Sequence, residues 1–317
     1  MSADSTISTS ATSSPEQTMA LGFLGLGMMG AQLSRRLIHA GLPLLVWDRT
    51  QSKTEPLVAE GARWAVSPKA LGRSIGKGVT FVMVTDGPAV KQVLFGVKGL
   101  AKGAPAGALV VNTSTVDPDE SRDVATRLLE KGIHYVDAPV AGSVDQVVSG
   151  EAFFFVGGDD VDVARARPLL EKIGHRVEHM GSTGAGNSMK LVNNLLTVGI
   201  TTLSTEALAL AEGFGLDRAQ VIPALLAGGG RSAMLERKAP DFLARKYPAQ
   251  FMTALARKDL KLVEKAAART GRPLKMTREA RKLLDEAIAQ GHAEDDFSSV
   301  LETALQRGRP PAMTPSS

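Results

Sequence analysis

Lys190 and Asn194 stand four residues apart in an Ala/Leu-rich stretch with helical spacing. On a helix that interval places both on one face, where an ammonium and a carboxamide can reach the same small ligand. A second group with chemical potential is the turn GLGMMG, Gly25 to Gly30, set directly after the apolar run Ala20 to Leu24. In a chain with 32 glycines a lone G-x-G-x-x-G carries little weight, so its surroundings must decide. The run before it is strand-like, the segment Ala31 to Ile38 after it has helical periodicity, and Gly41 ends that helix before a second strand-like run, Leu44 to Trp47. In that setting Gly25 permits the tight turn, Gly27 lets the backbone approach a pyrophosphate, and Gly30 lets helix pack on strand. The helix start, with Leu26, Met28 and Met29, supplies amide donors and a partial positive charge. The pattern predicts dinucleotide binding.

The end of the second strand bears on which dinucleotide. Trp47-Asp48-Arg49-Thr50-Gln51-Ser52-Lys53 puts a carboxylate where ribose hydroxyls are bonded, and Asp48 there disfavours a 2′-phosphate. Arg49 follows at once, its planar fork suits a phosphate, and Thr50 and Lys53 can assist. Since Asp48 can be held off by pairing with Arg49 or Lys53, whereas a three-residue cationic set has little purpose without a phosphate, the set leans toward NADP(H) with NAD(H) use retained.

These residues need elements to position them. Short apolar runs (Leu21–Leu24, Leu44–Trp47, Val79–Val84, Ala108–Val111, Tyr135–Ala138, Phe153–Val156) alternate with helical patterns such as Ser121–Leu129, the signature of a doubly wound α/β sheet. After Gly181 the strand signals stop, and a long helix from about Asn187 to Ala211 leads into shorter ones. The expectation is an α/β, Rossmann-type dinucleotide-binding domain over 19–181 followed by an all-α domain over 182–306 for substrate and oligomerisation. The Ser/Thr-rich 1–18 and the segment 307–317 read as disordered tails, without the apolar region of a signal peptide.

Composition narrows the rest. The 317 residues are ample for two domains, and a net charge of +4 without a Lys/Arg block, with only Trp47, Trp64, Tyr135, Tyr247 and ten Phe for stacking, argues against nucleic acid. With no cysteine, disulfides and thiolate chemistry are excluded, which fits a cytoplasmic protein. No uninterrupted apolar run reaches the ~20 residues of a membrane span, and no metal site is expected. Gly72-Arg73-Ser74-Ile75-Gly76 fits G-x-S-x-G with helix and strand in the wrong order for a nucleophile elbow. His175-Arg176-Val177-Glu178-His179 fits H-x-x-E-H but reads as extended chain, which parts its histidines by about 13 Å, too far to share one ion.

Four blocks in order, GFLGLGMMG, DAPVAGSVDQVVSG (137–150), GAGNSMKLVNN (184–194) and FMTALARKDL (251–260), resemble the β-hydroxyacid dehydrogenases, the group that includes 3-hydroxyisobutyrate dehydrogenase and tartronate semialdehyde reductase. The resemblance implies that Lys190 is the acid/base residue and that Asn194 orients it or the substrate. It places Thr115, in NTSTVDP, beside the nicotinamide, Lys258 near cofactor or substrate, and Phe251 and Asp259 in the closed site. Relatives mostly read DAPVSGG, whose serine and glycine amides hold the substrate carboxylate; here those places are Ala141, Gly142 and Ser143, so the serine is displaced or lost. Arg231-Ser232 offers another contact for an anionic substrate. The implied activity interconverts a small β-hydroxy acid and its semialdehyde or keto form with NAD(P), in a homodimer or homotetramer built through the helical domain. An imine reductase, which usually lacks the lysine found here at 190, and a catalytically inactive cofactor-binding module are the alternatives.

Overall fold

The computed structural model describes residues 20–307; the two tail expectations fall outside them, apart from Arg307. Nine strands form one sheet: β1 (Leu21–Leu24), β2 (Leu44–Trp47), β3 (Arg63–Trp64), β4 (Val79–Val82), β5 (Leu109–Asn112), β6 (His134–Asp137), β7 (Val140–Ala141), β8 (Phe153–Gly157) and β9 (Arg176–Gly181). Their order is β3-β2-β1-β4-β5-β6-β8-β7, with β9 on β8. The first six are parallel, whereas β8 runs antiparallel to β6 and β7. The strand order reverses between β1 and β4, which opens a crevice at their carboxyl ends.

The period of two in each strand sends alternate side chains to opposite faces. Phe23, Phe81 and Val111 join one buried cluster with Leu33 and Leu37, and Leu24, Val82 and Val110 join the other with Leu71 and Leu94. The helices that cover these faces are α1 (Met28–His39), α2 (Glu55–Ala59), α3 (Pro68–Ile75), α4 (Gly87–Phe95), α5 (Pro118–Leu129), α6 (Val144–Ser149) and α7 (Asp160–Ile173). Local chemistry sets several of their starts. Ser67 and Asp86 cap α3 and α4 by accepting from Ala70 N and Ala89 N, each ahead of a proline in the first turn. The G-x-S-x-G match lies at the end of α3 and runs into β4, as its order predicted, and the H-x-x-E-H match enters β9 as extended chain.

The remaining elements are α8 (Ala185–Gly213), α9 (Arg218–Ala227), α10 (Ala233–Ala244), α11 (Thr253–Arg269), α12 (Lys275–Ala289) and α13 (Val300–Gln306). α8 is the axle of this part: Val198 packs with Leu260 and Leu284, and Leu208 packs with Phe242 and Leu301. It is also the one helix among the described residues long and apolar enough, by length and composition alone, to cross a membrane. It holds no uninterrupted apolar run, because Lys190, Asn194, Thr201, Thr202 and Thr205 break it, and all five are buried.

Candidate active site

A cavity of about 610 Å³ runs from the carboxyl ends of β1 and β2 to the faces of α8, α10 and α11. At its nucleotide end it is bordered by the glycine turn from Gly25 to Gly30, with one exception, and by Asp48, Arg49, Thr50 and Lys53. The exception is Leu26, whose side chain is core and whose amide donates to Asp48 Oδ2 at 2.7 Å, so it does not face a ligand as expected. The glycines have distinct physical reasons. Gly25 has φ +96° and a Cβ there would strike the Met83 carbonyl, a Cβ on Gly30 would strike the Gly25 carbonyl, and a Cβ on Gly27 would meet no protein atom within 4 Å. The open space at Gly27, beside the start of α1, is a cradle that fits a dinucleotide pyrophosphate.

Asp48 is not held off by Arg49 or Lys53. Its two oxygens accept from Leu26 N at 2.7 Å and Thr50 N at 2.8 Å, which ties the glycine turn to the end of β2. Arg49 and Lys53 have no acidic partner among the described residues and border the cavity.

At the centre, Lys190 and Asn194 are both buried on the cavity wall, one turn apart on α8. Burial brings the Lys190 ammonium down to about 8; Asp259 opposes that shift and Lys258 adds to it. Asn194 Nδ2 donates to Asp259 Oδ2 at 2.6 Å, while its Oδ1 accepts from Asn193 Nδ2 at 3.1 Å. Lys258 Nζ donates to the Thr85 and Thr115 carbonyls at 2.9 and 3.1 Å and lies 2.9 Å from Asp259 Oδ1. That last contact lacks hydrogen-bond geometry, which leaves Asp259 Oδ1 a buried acceptor without a donor. An orphaned acceptor beside a lysine suits a hydroxyl of cofactor or substrate.

The base of α8 is fixed by a partnership between two of the sequence blocks that their motifs do not reveal. Asp137, at the end of β6, accepts from Gly184 N and Asn187 N, both at 2.7 Å, and burial raises its carboxyl to about 6 although both amides favour the ionised form. Asn187 then stitches outward: its Oδ1 accepts from Val116 N at 2.9 Å and its Nδ2 donates to Ser121 Oγ at 3.1 Å.

On the far wall, Ala141, Gly142 and Ser143 border the cavity, but Ser143 is committed to α6. Its hydroxyl accepts from Gln146 N at 3.2 Å and its amide donates to Gln146 Oε1 at 3.0 Å, a capping box. Phe251 meets Phe297 edge-on at 5.5 Å between ring centres. Arg231 does not border the cavity; it pairs with Glu236 at 3.6 Å, and Ser232 caps α10. The cations that do face the cavity from α10 are Arg237 and Lys238. Neither residue belongs to a motif in the sequence, and it is the fold that brings them to the cavity.

A dinucleotide crevice closed by a helical layer that carries a buried lysine defines an NAD(P)-dependent dehydrogenase. Comparison with known proteins agrees: residues 20–181 match the NAD-binding domain of 6-phosphogluconate dehydrogenase, and residues 184–304 match the NAD-binding region of NADP-dependent 3-hydroxyisobutyrate dehydrogenase. The chain is 30% identical over 285 residues to glyoxylate/succinic semialdehyde reductase 2 of Arabidopsis thaliana, covering 90% of this chain and 79% of that one. It is 33% identical over 288 residues to the NAD-dependent L-serine dehydrogenase of Pseudomonas aeruginosa, covering 88% and 96%. Among solved structures, 3-hydroxyisobutyrate dehydrogenase of Mycobacterium tuberculosis with L-serine superposes with a TM-score of 0.81 at 29% identity, covering 90% and 99%. The chain belongs to the β-hydroxyacid dehydrogenase family and is an NAD(P)-dependent oxidoreductase.

Proposed function

We propose that the chain interconverts a small β-hydroxy acid and its semialdehyde or keto form, with Lys190 as the acid/base residue and NADP(H) as the preferred cofactor. The observation that carries the reading is the buried Lys190 in the cavity, brought to about 8 by its surroundings, a value from which it can both give and take a proton near neutrality. Bound nicotinamide supplies or accepts the hydride. In reduction, Lys190 Nζ stabilises the negative charge growing on the carbonyl oxygen and then protonates it; in oxidation it takes the hydroxyl proton. Asn194 and Asp259 hold one another in place, and Asp259 keeps charge of opposite sign beside Lys190. Phe251 and its partner Phe297 exclude water from the reacting end.

Support for NADP(H) comes from Arg49 and Lys53, which border the cavity at its nucleotide end and whose charges have no acidic partner among the described residues. A relative described as NAD-dependent fits retained NAD(H) use. A homodimer or homotetramer is supported by an apolar row, Val192, Leu196, Leu203 and Leu210 on α8 with Phe214 at its C-cap, at nearly heptad spacing and more than half exposed. A cytoplasmic setting accords with the absence of cysteine.

The test is turnover of semialdehydes by wild type and Lys190→Ala with both cofactors. The variant should lose about 10²–10⁴ in kcat while binding NADPH nearly as before, since the lost group acts in the transition state. Near-normal turnover in the variant would remove Lys190 from the chemistry.

A further inference from the structure

The charges facing the cavity can be accounted for one by one. Lys258 neighbours Asp259, and Lys238 pairs with Asp296 at 2.8 Å and Asp241 at 3.3 Å. Arg49 and Lys53 sit at the nucleotide end, and Lys190 at the reacting centre. One cation is left over. Arg237 borders the cavity from α10 and has no acidic partner among the described residues, although its neighbours Glu236 and Lys238 are both paired.

The opposite wall offers fewer donors than a serine in place of Ala141 would give: Ala141 presents a methyl group and the Ser143 amide is bonded to Gln146 Oε1, which leaves the Ser143 hydroxyl proton. We infer that Arg237, rather than the 141–143 loop, grips the anionic group of the substrate, so that the chain selects oxo acids whose anion lies beyond an apolar spacer from the reacting carbonyl. The spacer follows from what stands between. Met234, one turn before Arg237 on α10, packs with Val198, which lies beyond Lys190 on α8. Met234, Ile200, Phe251 and Phe297 line that interval with apolar surface. A guanidinium at its far end holds a carboxylate by charge-assisted hydrogen bonds, and the apolar walls accept methylenes.

The inference rests on the proposed lysine chemistry, and the experiment separates the two. Glyoxylate, succinic semialdehyde, glutaric semialdehyde and neutral pentanal are assayed with NADPH and wild type, Arg237→Ala, Arg237→Lys, Ser143→Ala and Lys190→Ala. Wild type should favour the longer oxo acids over glyoxylate and pentanal. Arg237→Ala should raise KM for them about ten- to hundredfold with kcat within about threefold, leave pentanal unchanged, and be partly rescued by lysine. Ser143→Ala should alter KM by less than about threefold. If Arg237→Ala leaves every KM unchanged, or raises that of pentanal equally, the anchor is not Arg237, even where Lys190→Ala is inactive as proposed. If wild type reduces none of the four, both readings fail. An unchanged melting temperature in Arg237→Ala, an exposed position, excludes misfolding as the cause.

Discussion

Lys190 is where burial becomes chemistry. Its ammonium is brought down to about 8 chiefly because the cavity wall excludes water, with Asp259 opposing and Lys258 assisting. The sign for activity follows. Oxidation needs the neutral amine, so kcat/KM for the hydroxy acid should rise with pH through about 8. Reduction needs the ammonium, so kcat/KM for the aldehyde should fall above the same value. A pH–rate profile in both directions checks this, and parallel rather than mirrored profiles would point to another proton carrier. Arg49 makes the second prediction at this scale. Because Asp48 is tied to Leu26 N and Thr50 N, the phosphate-binding capacity belongs to its neighbours, and Arg49→Ala should weaken NADPH about tenfold or more while leaving NADH within about twofold. Cofactor titrations that move both constants together would return the choice to Asp48.

Among the elements, α8 does most to place the site. It begins on a carboxylate: Asp137 receives the amides of Gly184 and Asn187 and so anchors the turn that precedes Lys190. Asp137→Asn turns one acceptor into a donor facing an N–H, leaving a buried bond unmade. We expect a loss of about 1–3 kcal/mol in stability. We also expect a fall in kcat larger than any change in NADPH affinity, because the helix start carries the lysine while the glycine turn sits on β1 and α1. Denaturant titration with steady-state kinetics on the same preparation tests both, and full stability with full turnover would show that the cap is dispensable.

At the scale of the whole molecule, two features join parts of the fold. Asp117, fully buried at the start of α5, accepts from both Arg269 nitrogens at 2.9 and 2.7 Å and pairs with Lys265 at 2.9 Å, so α11 is clamped to the sheet side of the cavity. Burial works to raise the Asp117 carboxyl, but Arg269, Lys265 and the Asp119 amide outweigh it and hold it below the usual range. The clamp is therefore intact at neutral pH and is lost as acid protonates Asp117. The second feature is the apolar row on α8, in which Leu196 also borders the cavity. A second copy seated there would adjoin the site. Sedimentation should give wild type at a dimer or larger mass and Leu203→Glu as a monomer; a monomeric wild type would refute the assembly.

The alternation of strands and helices, the glycine turn and the Lys190–Asn194 pairing were legible in the sequence because each depends on spacing along one element. A period of two fixes a strand face, an interval of four fixes a helix face, and Gly25 and Gly30 are required by backbone geometry within a single turn. The tertiary structure decided whatever depends on a partner distant in the chain. Asp48 is satisfied by amides and not by Arg49 or Lys53, Leu26 turns to the core, Ser143 caps α6 through Gln146, and Asp137 meets a helix start about fifty residues on. Arg231 and Arg237 are the same residue type six positions apart, and no local rule separates them. What separates them is that Arg231 lies ahead of the Ser232 cap and pairs with Glu236, whereas Arg237 is within α10 and borders the cavity with Met234.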